Sequence, residues 1–233
     1  MKTVVASFFA LFLCLNLKAQ SNFHKISIGG GFGSTTSYSD VQKRDYGLAG
    51  YGTFNYYFTP FFSMGAELQK GEIAGGDVAT DPHERQFINS FNAFTLNGKL
   101  ALGSFIDYSR NGLLNAIKHI YAGAGVGVIH NNMKSIVRYK PSDTDYKFPG
   151  VDSGNDVVFP LNLGVNFYLG SKSGIKKLAI NLNLQGNVTI GEGMDGYNDS
   201  PIVFKNNNPD IYTYYSIGLK YHFGLVGISK KYL

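Results

Sequence analysis

Hydrophobic and polar residues alternate along most of this chain, most regularly in the segment 178–190. One side of that segment carries Leu178, Ile180, Leu182, Leu184, Val188 and Ile190, and the other carries Asn181, Asn183, Gln185, Asn187 and Thr189. Side chains that alternate with period two are typical of a β-strand. The pattern leaves open which side meets water. In a soluble sandwich the leucines would point inward, whereas in a membrane barrel they would face lipid and the asparagines would fill the interior.

The same alternation recurs in eight segments that are separated by turn-rich stretches. These segments are 24–34, 46–58, 61–70, 90–104, 118–130, 157–169, 178–190 and 211–223. They are longer than the roughly 5–6 residues of a typical globular strand, and they suit a tilted strand that crosses a bilayer in about 9–11 residues. Only 111–117 indicates a helical turn. Ten strands remain possible if the long connections extend as hairpins.

The residue types on the polar side favour the barrel. A strand face in bulk water usually carries Lys, Glu and Thr, but here this side is mostly Gly, Asn, Ser, Gln and Ala. Small neutral groups that form hydrogen bonds suit a crowded, closed interior. We therefore predict an all-β protein, an eight-stranded antiparallel up-and-down transmembrane β-barrel. Such a barrel has room inside for side chains but not for an open pore.

Residues 1–19 have the pattern of a secretory signal peptide. Lys2 supplies the positive start, 4–15 an apolar run, and Ala19 the small residue before a cut. The run is too short for a membrane-spanning helix, which needs about 20 residues. We expect the barrel to occupy 20–223 and a C-terminal tail to occupy 224–233. The one cysteine, Cys14, lies in the leader, so the exported chain is expected to lack disulfides.

Connection lengths predict an orientation. If the N-terminus is periplasmic, the first, third, fifth and seventh connections lie outside the cell. They are longer than the second and sixth connections, which is the usual asymmetry of outer-membrane barrels. The fourth connection, 105–117, is an exception. Both ends of the barrel are then periplasmic.

Charge does not indicate a nucleic-acid partner. The formal net charge is +5, and it falls to +3 without the leader, which holds two lysines and no acid. This excess of positive charge is small, and it is spread evenly along the chain. The glycine runs at 29–33 and 123–127 lack the following helix and lysine of a phosphate-binding loop. We interpret them as places of close approach inside the barrel.

Four features resemble small outer-membrane β-barrel proteins, namely the porin-like and OmpA-like barrels common in the Bacteroidota lineage. They are Lys-Ala-Gln at 18–20, Asn-Tyr-Tyr-Phe-Thr-Pro at 55–60, the glycine-rich 121–127 and the aromatic end of the last segment at Phe223. The resemblance covers the whole exported chain. It implies the outer membrane of a Gram-negative bacterium, contact with outer-membrane lipid, and insertion by the barrel-assembly machinery, which reads a final aromatic residue. Either Phe223 is read internally or the last strand runs further.

Charged residues on the polar faces predict a network in the lumen. Buried charges need partners, and neighbouring polar positions can supply them. The predicted network consists of Glu67, Asn97, Lys99, Asn183, Lys220 and His222. It acts either as a structural plug or as a small gate.

Five histidines invite a hydrolase interpretation. His130, which precedes two asparagines, and His83, between Asp81 and Glu84, are the candidates for a general base. No serine has a motif spacing to either histidine, and no Cys/His metal pattern is present. We therefore predict no catalytic, cofactor or metal site.

The predicted function is a structural or surface-interaction role through long extracellular loops, without enzymatic turnover. The chain is expected to be a monomer that meets an extracellular or envelope protein partner. The alternative is a narrow channel or an accessory component of an outer-membrane secretion machine. Lipid or peptide hydrolysis is a third possibility.

Overall fold

The computed structural model describes residues 21–39, 41, 43–109, 111–170, 175–191, 193–198 and 210–229. The leader expected at 1–19 lies outside these residues. The strands are β1 (Ser21–Tyr38), β2 (Tyr46–Thr59), β3 (Phe62–Gly76), β4 (Gln86–Ala101), β5 (Ile120–Ile136), β6 (Tyr139–Lys140), β7 (Asp143–Lys147), β8 (Ser153–Tyr168), β9 (Leu178–Ile190) and β10 (Ile211–Ser229).

Eight of these strands close into one antiparallel barrel. Their order around the barrel is β1, β10, β9, β8, β5, β4, β3 and β2, and β2 returns to β1. Strands that are neighbours in space are also consecutive barrel strands along the chain, apart from the closing pair β1 and β10. The predicted eight-stranded up-and-down barrel is therefore confirmed. Since β6 and β7 form a separate two-stranded sheet, the long connection does contain a hairpin, but this hairpin adds no strands to the barrel.

Most strands extend beyond one or both ends of the predicted segments, but β9 has the predicted bounds, and the segment predicted at 90–104 ends as a strand at Ala101, where a 3-10 helix begins. Most notably, β10 continues past Phe223 to Ser229, whose Cα partner on β1 is Ser21. Residues 224–229 therefore pair with β1 as part of the barrel wall, whereas the sequence interpretation separated them as a tail. Residues 230–233 lie outside the described part of the chain.

The helical turn expected at 111–117 is present as α1 (Gly112–Ile117). Asn111 caps it, because its side-chain oxygen accepts a hydrogen bond from the backbone N–H of Leu113 at 2.8 Å. A 3-10 helix at Leu102–Ser104 precedes it in the same connection. Within the described residues, no helix combines the length and the apolar character that a membrane span needs.

The two ends of the barrel differ. The described residues of the connections 39–45, 77–85, 137–152 and 191–210 lie at one end, which we call the loop end. The described residues of the connections 60–61, 102–119 and 169–177 lie at the other, which we call the turn end. The 102–119 connection is longer than the expected exception at 105–117, so the asymmetry in length is weaker than predicted.

The exposed fractions of the side chains show which face of each strand points outward and which faces the lumen. Asn181 is 2% exposed and faces the lumen, whereas its neighbour Leu182 is 41% exposed and faces outward. The same alternation puts large apolar side chains on the outside of every barrel strand. Examples are Ile28, Phe54, Leu68, Phe94, Val126, Leu161, Leu182 and Ile217.

Inward-facing glycines allow neighbouring backbones to approach closely, as the sequence predicted. A side chain at Gly31 would collide with the carbonyl oxygen of Ile217 on β10, and one at Gly125 with that of Leu96 on β4. Both glycines therefore occupy positions where even a methyl group would force the strands apart.

Candidate functional site

Polar side chains from all eight barrel strands fill the lumen. Buried examples are Ser27, Thr53, Asn55, Glu67, Gln69, Thr95, Asn97, Lys99, Asn131, Asn162, Asn181, Asn183, Gln185 and Lys220. Each occupies the polar position of its strand, so the alternation of the sequence alone directs it inward. The candidate site is therefore the interior itself, together with the mouths at its two ends.

A contact between opposite walls lies at the centre of this interior. Nε2 of Gln69 on β3 donates a hydrogen bond to Oε1 of Gln185 on β9. Three strands separate β3 from β9 in either direction around the barrel. Both side chains also meet Glu67, because Oε1 of that carboxylate accepts from Gln69 Nε2 at 2.7 Å and from Gln185 Nε2 at 3.2 Å. The three side chains close the lumen at this level.

Two lysines accompany that carboxylate. Lys99 Nζ lies 3.6 Å from Glu67 Oε2, and Lys220 Nζ donates to Asn166 Oδ1 at 3.2 Å. The ring of Tyr121 lies near both cations, with its centroid 5.6 Å from Lys99 Nζ and 5.5 Å from Lys220 Nζ. The electron-rich face of the ring attracts both cations. The buried charges are thus held by one carboxylate, one amide and one aromatic ring.

A chain of amides continues from the hydroxyl of Tyr121. This hydroxyl donates to Asn183 Oδ1 at 2.9 Å and accepts from Asn181 Nδ2 at 2.9 Å. Asn183 Nδ2 donates to Asn162 Oδ1, and Asn162 Nδ2 donates to Asn97 Oδ1, each at 3.0 Å. The chain joins β5, β9, β8 and β4. Satisfied polar networks of this kind rigidify an interior.

The six residues predicted for the lumen network all point inward and are at most 8% exposed: Glu67, Asn97, Lys99, Asn183, Lys220 and His222. The structure brings the first five around the centre, through the contacts just described. His222 lies apart, toward the turn end, where its ring centroid is 5.2 Å from those of Tyr57 and Tyr168.

Sequence reasoning missed the residues that connect the predicted ones. Gln69, Gln185, Tyr121 and Asn162 carry the contacts across the lumen, although none was singled out. Their position on the polar side of each strand was the available signal. That β3 faces β9 cannot be read from a local pattern, because it depends on the closure of the whole barrel.

The loop-end mouth is closed by an apolar cluster. Its buried members include Val41, Ile73, Phe87, Phe91, Ile129, Phe148, Met194, Tyr197, Tyr212 and Tyr214. Phe91 on β4 packs against Tyr212 on β10, with ring centroids 5.4 Å apart. The hydroxyl of Tyr214 donates to the carbonyl oxygen of Ala49 on β2 at 2.9 Å. This mouth is therefore filled by side chains from both strands and loops.

Two loops join over that mouth to form what we call the outer cap, residues 137–152 and 193–198. Tyr197 is buried in it, and its hydroxyl shares its one proton between the carbonyl oxygens of Gln86 and Val137, each 3.0 Å away. Burial raises the pKa of Tyr197 to about 12, so this hydroxyl remains a donor at neutral pH. Asn89 Nδ2, from inside the barrel, donates to the carbonyl oxygen of Met194 at 2.8 Å.

Arg138 ties the two parts of the outer cap together. Its Nη1 donates to the carbonyl oxygen of Gly196 at 2.6 Å, and its Nη2 donates to that of Val151 at 2.7 Å. Nη2 also lies 2.6 Å from Oδ1 of Asp152. Hydrogen bonds from a charged group contribute about 1.5–3 kcal/mol each. The outer cap is therefore an ordered surface, cross-linked by this guanidinium and by two backbone hydrogen bonds, from Val151 N–H to Gly196 O at 3.2 Å and from Asn198 N–H to Pro149 O at 3.0 Å.

Histidines and tyrosines surround the turn-end mouth. His24, His119 and His222 gather there, and His119 packs on Tyr168 with ring centroids 4.6 Å apart. Burial, followed by the positive charge of nearby lysines, lowers the pKa of His119 to about 3, so this imidazole is neutral at physiological pH. Among the described residues, no group of three or more His, Cys, Asp or Glu side chains has the geometry of a metal site.

The two histidines considered as general bases lie outside the lumen. His130 points outward from β5 and contacts Asn155, with Nδ1 2.8 Å from Oδ1. His83 lies in the 77–85 connection, where its backbone N–H donates to Asp81 Oδ1 at 2.9 Å. The same oxygen accepts from the backbone N–H of Arg85 at 3.2 Å. Asp81 thus shapes the turn around His83.

The two surfaces of the barrel identify the class of protein. A closed antiparallel barrel satisfies its backbone hydrogen bonds without water, which is the condition for crossing a membrane with strands. Here the exterior is apolar and the lumen is polar, which is the arrangement of outer-membrane barrels. The chain is a transmembrane β-barrel of the outer-membrane type.

Comparisons with known proteins assign this chain to no family. No protein-family model matches the chain, and no curated protein sequence matches it. Solved structures with a similar outline include neisserial surface protein A (NspA). Its identity is 8%, 85% of this chain and 97% of that chain are covered, and the TM-score is 0.48.

Two further structures have a similar outline. For Ail, the attachment invasion locus protein of Yersinia pestis, the identity is 11%, the coverage is 86% of this chain and 99% of that chain, and the TM-score is 0.44. For the outer membrane protein OprG from Pseudomonas aeruginosa, the identity is 13%, the coverage is 88% of this chain and 98% of that chain, and the TM-score is 0.38. At TM-scores below 0.5 these likenesses assign no role, and the placement in a membrane rests on the barrel's own two surfaces.

Proposed function

We propose that this protein is a non-enzymatic barrel that acts at the cell surface through its outer cap, where it binds an extracellular or envelope protein partner. The barrel is a monomer inserted by the barrel-assembly machinery, with both chain ends on the periplasmic side. The observation that carries this proposal is the contact of Arg138 with both parts of the outer cap. A loop that served only to connect two strands would not need such a cross-link.

An ordered cap suits binding for an energetic reason. Association immobilises side chains and loops, at about 0.5–1.5 kcal/mol for each flexible side chain. Part of that loss is avoided when a surface is already held in place. The β6–β7 hairpin at the tip also exposes Tyr139, while Lys140, Asp143 and Lys147 surround it with charge. An apolar anchor within a polar rim is the usual composition of an interface.

The closed interior weighs against the alternative of a narrow channel. Gln69 and Gln185 meet across the lumen, and the apolar cluster fills the loop-end mouth. The first obstructs the lumen at its centre, and the second obstructs it at the loop-end mouth. An accessory role in a secretion machine would use the outer surface of the barrel or the cap rather than conduction.

Replacing the tip of the cap tests the proposed surface role. In one variant a Gly-Ser linker of equal length replaces 139–147, and in the control a similar linker replaces α1 at the turn end. Cells with the intact protein, each variant or none are applied to immobilised envelope vesicles and purified extracellular proteins. We expect at least one surface to retain cells with the intact protein or the control, but not cells with the cap variant. Equal retention of intact and cap-variant cells on every surface would overturn the proposal.

A further inference from the structure

A shallow groove runs over the outer wall of β2, β3, β4, β5 and β8 and ends in a row of polar side chains near the loop end. We propose that this groove binds one outer-leaflet lipid with an anionic phosphate headgroup. The polar row holds the headgroup and the groove holds an acyl chain. Only the choice of leaflet rests on the orientation given under Proposed function.

The polar row follows from the register of five strands. Cα partners connect, in order, Gly50, Lys70, Asn92, His130 and Asn155. All five positions face outward and are exposed. Directly opposite residues in a sheet have Cβ atoms about 4.5–5.5 Å apart, so the four polar side chains form one continuous row.

The adjacent row toward the barrel centre is entirely apolar. Its Cα partners are, in order, Gly52, Leu68, Phe94, Val128 and Val157. On β3, β4, β5 and β8 the outer wall therefore changes from apolar to polar within one residue pair. Such a change marks the boundary between hydrocarbon and headgroups. A lysine on the lipid face costs about 0–1 kcal/mol near that boundary, against about 2–4 kcal/mol at the midplane.

Two glycines create the groove. A Cβ at Gly50 or Gly52 would meet no heavy atom nearer than 3.7 Å or 4.0 Å, respectively. Unlike the inward-facing glycines, these two are not needed to avoid a steric clash within the barrel. Glycine also weakens a strand. Their missing side chains leave a depression beside Leu68, Phe94 and Val128. The shape and the apolar lining suit an acyl chain that follows the wall toward the membrane centre.

Charge selects the headgroup. Lys70 makes no ion pair within the described part of the chain. Glu72, two residues further on the same face, accepts a hydrogen bond from Lys134 Nζ at 2.7 Å, so the charge of that acid is already compensated. Among the described residues, Lys70 therefore remains an ammonium without an ion-pair partner; the amide of Asn92 lies beside it, and the imidazole of His130 follows on the next strand. Ammonium and amide donors together fit a phosphate group.

Lipid retention measured by native mass spectrometry tests this site. The refolded full barrel is titrated with phosphatidylglycerol, with phosphatidylcholine of the same chain length, and with inorganic phosphate as competitor. We expect one tightly retained phosphatidylglycerol, at least five-fold weaker binding after Lys70→Gln, and no displacement by inorganic phosphate. Lys140→Gln, in the outer cap, is the charge-matched control and should bind like the wild type.

A second substitution tests the groove independently of charge. Gly52→Leu fills the depression and should weaken the binding of both lipids at least five-fold. Gly98→Leu places the same side chain at another open position, where the nearest atom to a Cβ is 3.9 Å away, and it should change nothing. Heat-modifiable gel migration verifies folding, and Lys70→Gln alone decides the outcome if Gly52→Leu does not fold.

Three results would overturn the lipid site. Unchanged retention in Lys70→Gln is one. Displacement by inorganic phosphate would make the row a site for free phosphate, and a dimer that Gly52→Leu dissociates would make the groove an interface between two copies. None of these results bears on the outer cap, so the lipid site and the surface role can fail separately.

Discussion

Gln69 and Gln185 join opposite walls of the barrel through a direct hydrogen bond between their side-chain amides. Because β3 and β9 are diametrically opposite, this contact spans the lumen. Glu67 accepts a hydrogen bond from both amides. A barrel of eight strands is narrow enough for side chains to fill. Here they form a bonded plug that both closes the interior and supports the wall.

The ion pair beside that plug should contribute to stability. In Glu67→Gln, two buried lysines lose their nearby carboxylate, and we expect the free energy of unfolding to fall by about 3 kcal/mol, as for other buried pairs that lose one partner. Lys99→Met should cost less, because Glu67 keeps the amides of Gln69 and Gln185. The measurement is urea unfolding of the barrel in lipid vesicles.

Glu72→Gln is the matched control for this experiment. Its carboxylate meets Lys134 on the exposed surface, so the expected loss is within about 1 kcal/mol. The double variant Glu67→Gln with Lys99→Met should lose less than the sum of the two single changes. Additive losses would show that the two groups do not interact.

The order of the outer cap should depend on Arg138. Arg138→Met removes the donors to the carbonyl oxygens of Gly196 and Val151, and we expect protease cleavage within 137–152 to become at least ten times faster. The barrel itself should keep its unfolding free energy. Lys140→Met, in the same hairpin, should leave the cleavage rate unchanged. If both variants are cut at the wild-type rate, Arg138 does not hold the cap.

The cap should also respond to alkaline pH through Tyr197. Its pKa is raised to about 12 by burial, against about 10 for an unfolded tyrosine. The neutral hydroxyl therefore stabilises the folded cap fully below pH 10, and this contribution is lost as the pH rises through about 12. Protease cleavage within 193–198 should increase over that interval. Tyr197→Phe should lack this step, and a step that persists in it would have another origin.

Single cysteines should report the orientation. The described residues contain no cysteine, so Ser153→Cys at the loop end and Ala116→Cys in α1 each introduce a unique thiol in that part of the chain. With a membrane-impermeant maleimide on whole cells, Ser153→Cys should be labelled at once and Ala116→Cys only after the cells are broken. The reverse result would place the turn end outside.

Much of the fold follows from local pattern. The alternation of Leu182 with Asn183 is enough to assign a strand and, with the residue types of the other polar faces, to assign the lumen side. Glu67 and Lys99 could be predicted as interior partners because their strands are neighbours in sequence. These inferences need only the two-residue period of a strand and the cost of an unpaired buried charge.

What could not be predicted depends on contacts between distant parts of the chain. Gln69 meets Gln185 only because the sheet closes, and Arg138 reaches Gly196 only because two long loops fold over one mouth. The end of β10 at Ser229 follows from pairing with the start of β1. No local pattern marks such a partner.

The most direct measurement is the conductance of the purified barrel in planar lipid bilayers. A lumen plugged by side chains should give no stable channel events, and small events should appear only when both obstructions are removed: the cross-lumen bridge by Gln69→Gly with Gln185→Gly, and the apolar cluster at the loop-end mouth by Phe91→Gly with Tyr212→Gly. Thr95→Gly changes an inward-facing residue that takes no part in the cross-lumen bridge, and it should give no channel events. Stable conductance in the wild-type barrel would contradict the closed lumen and favour a channel.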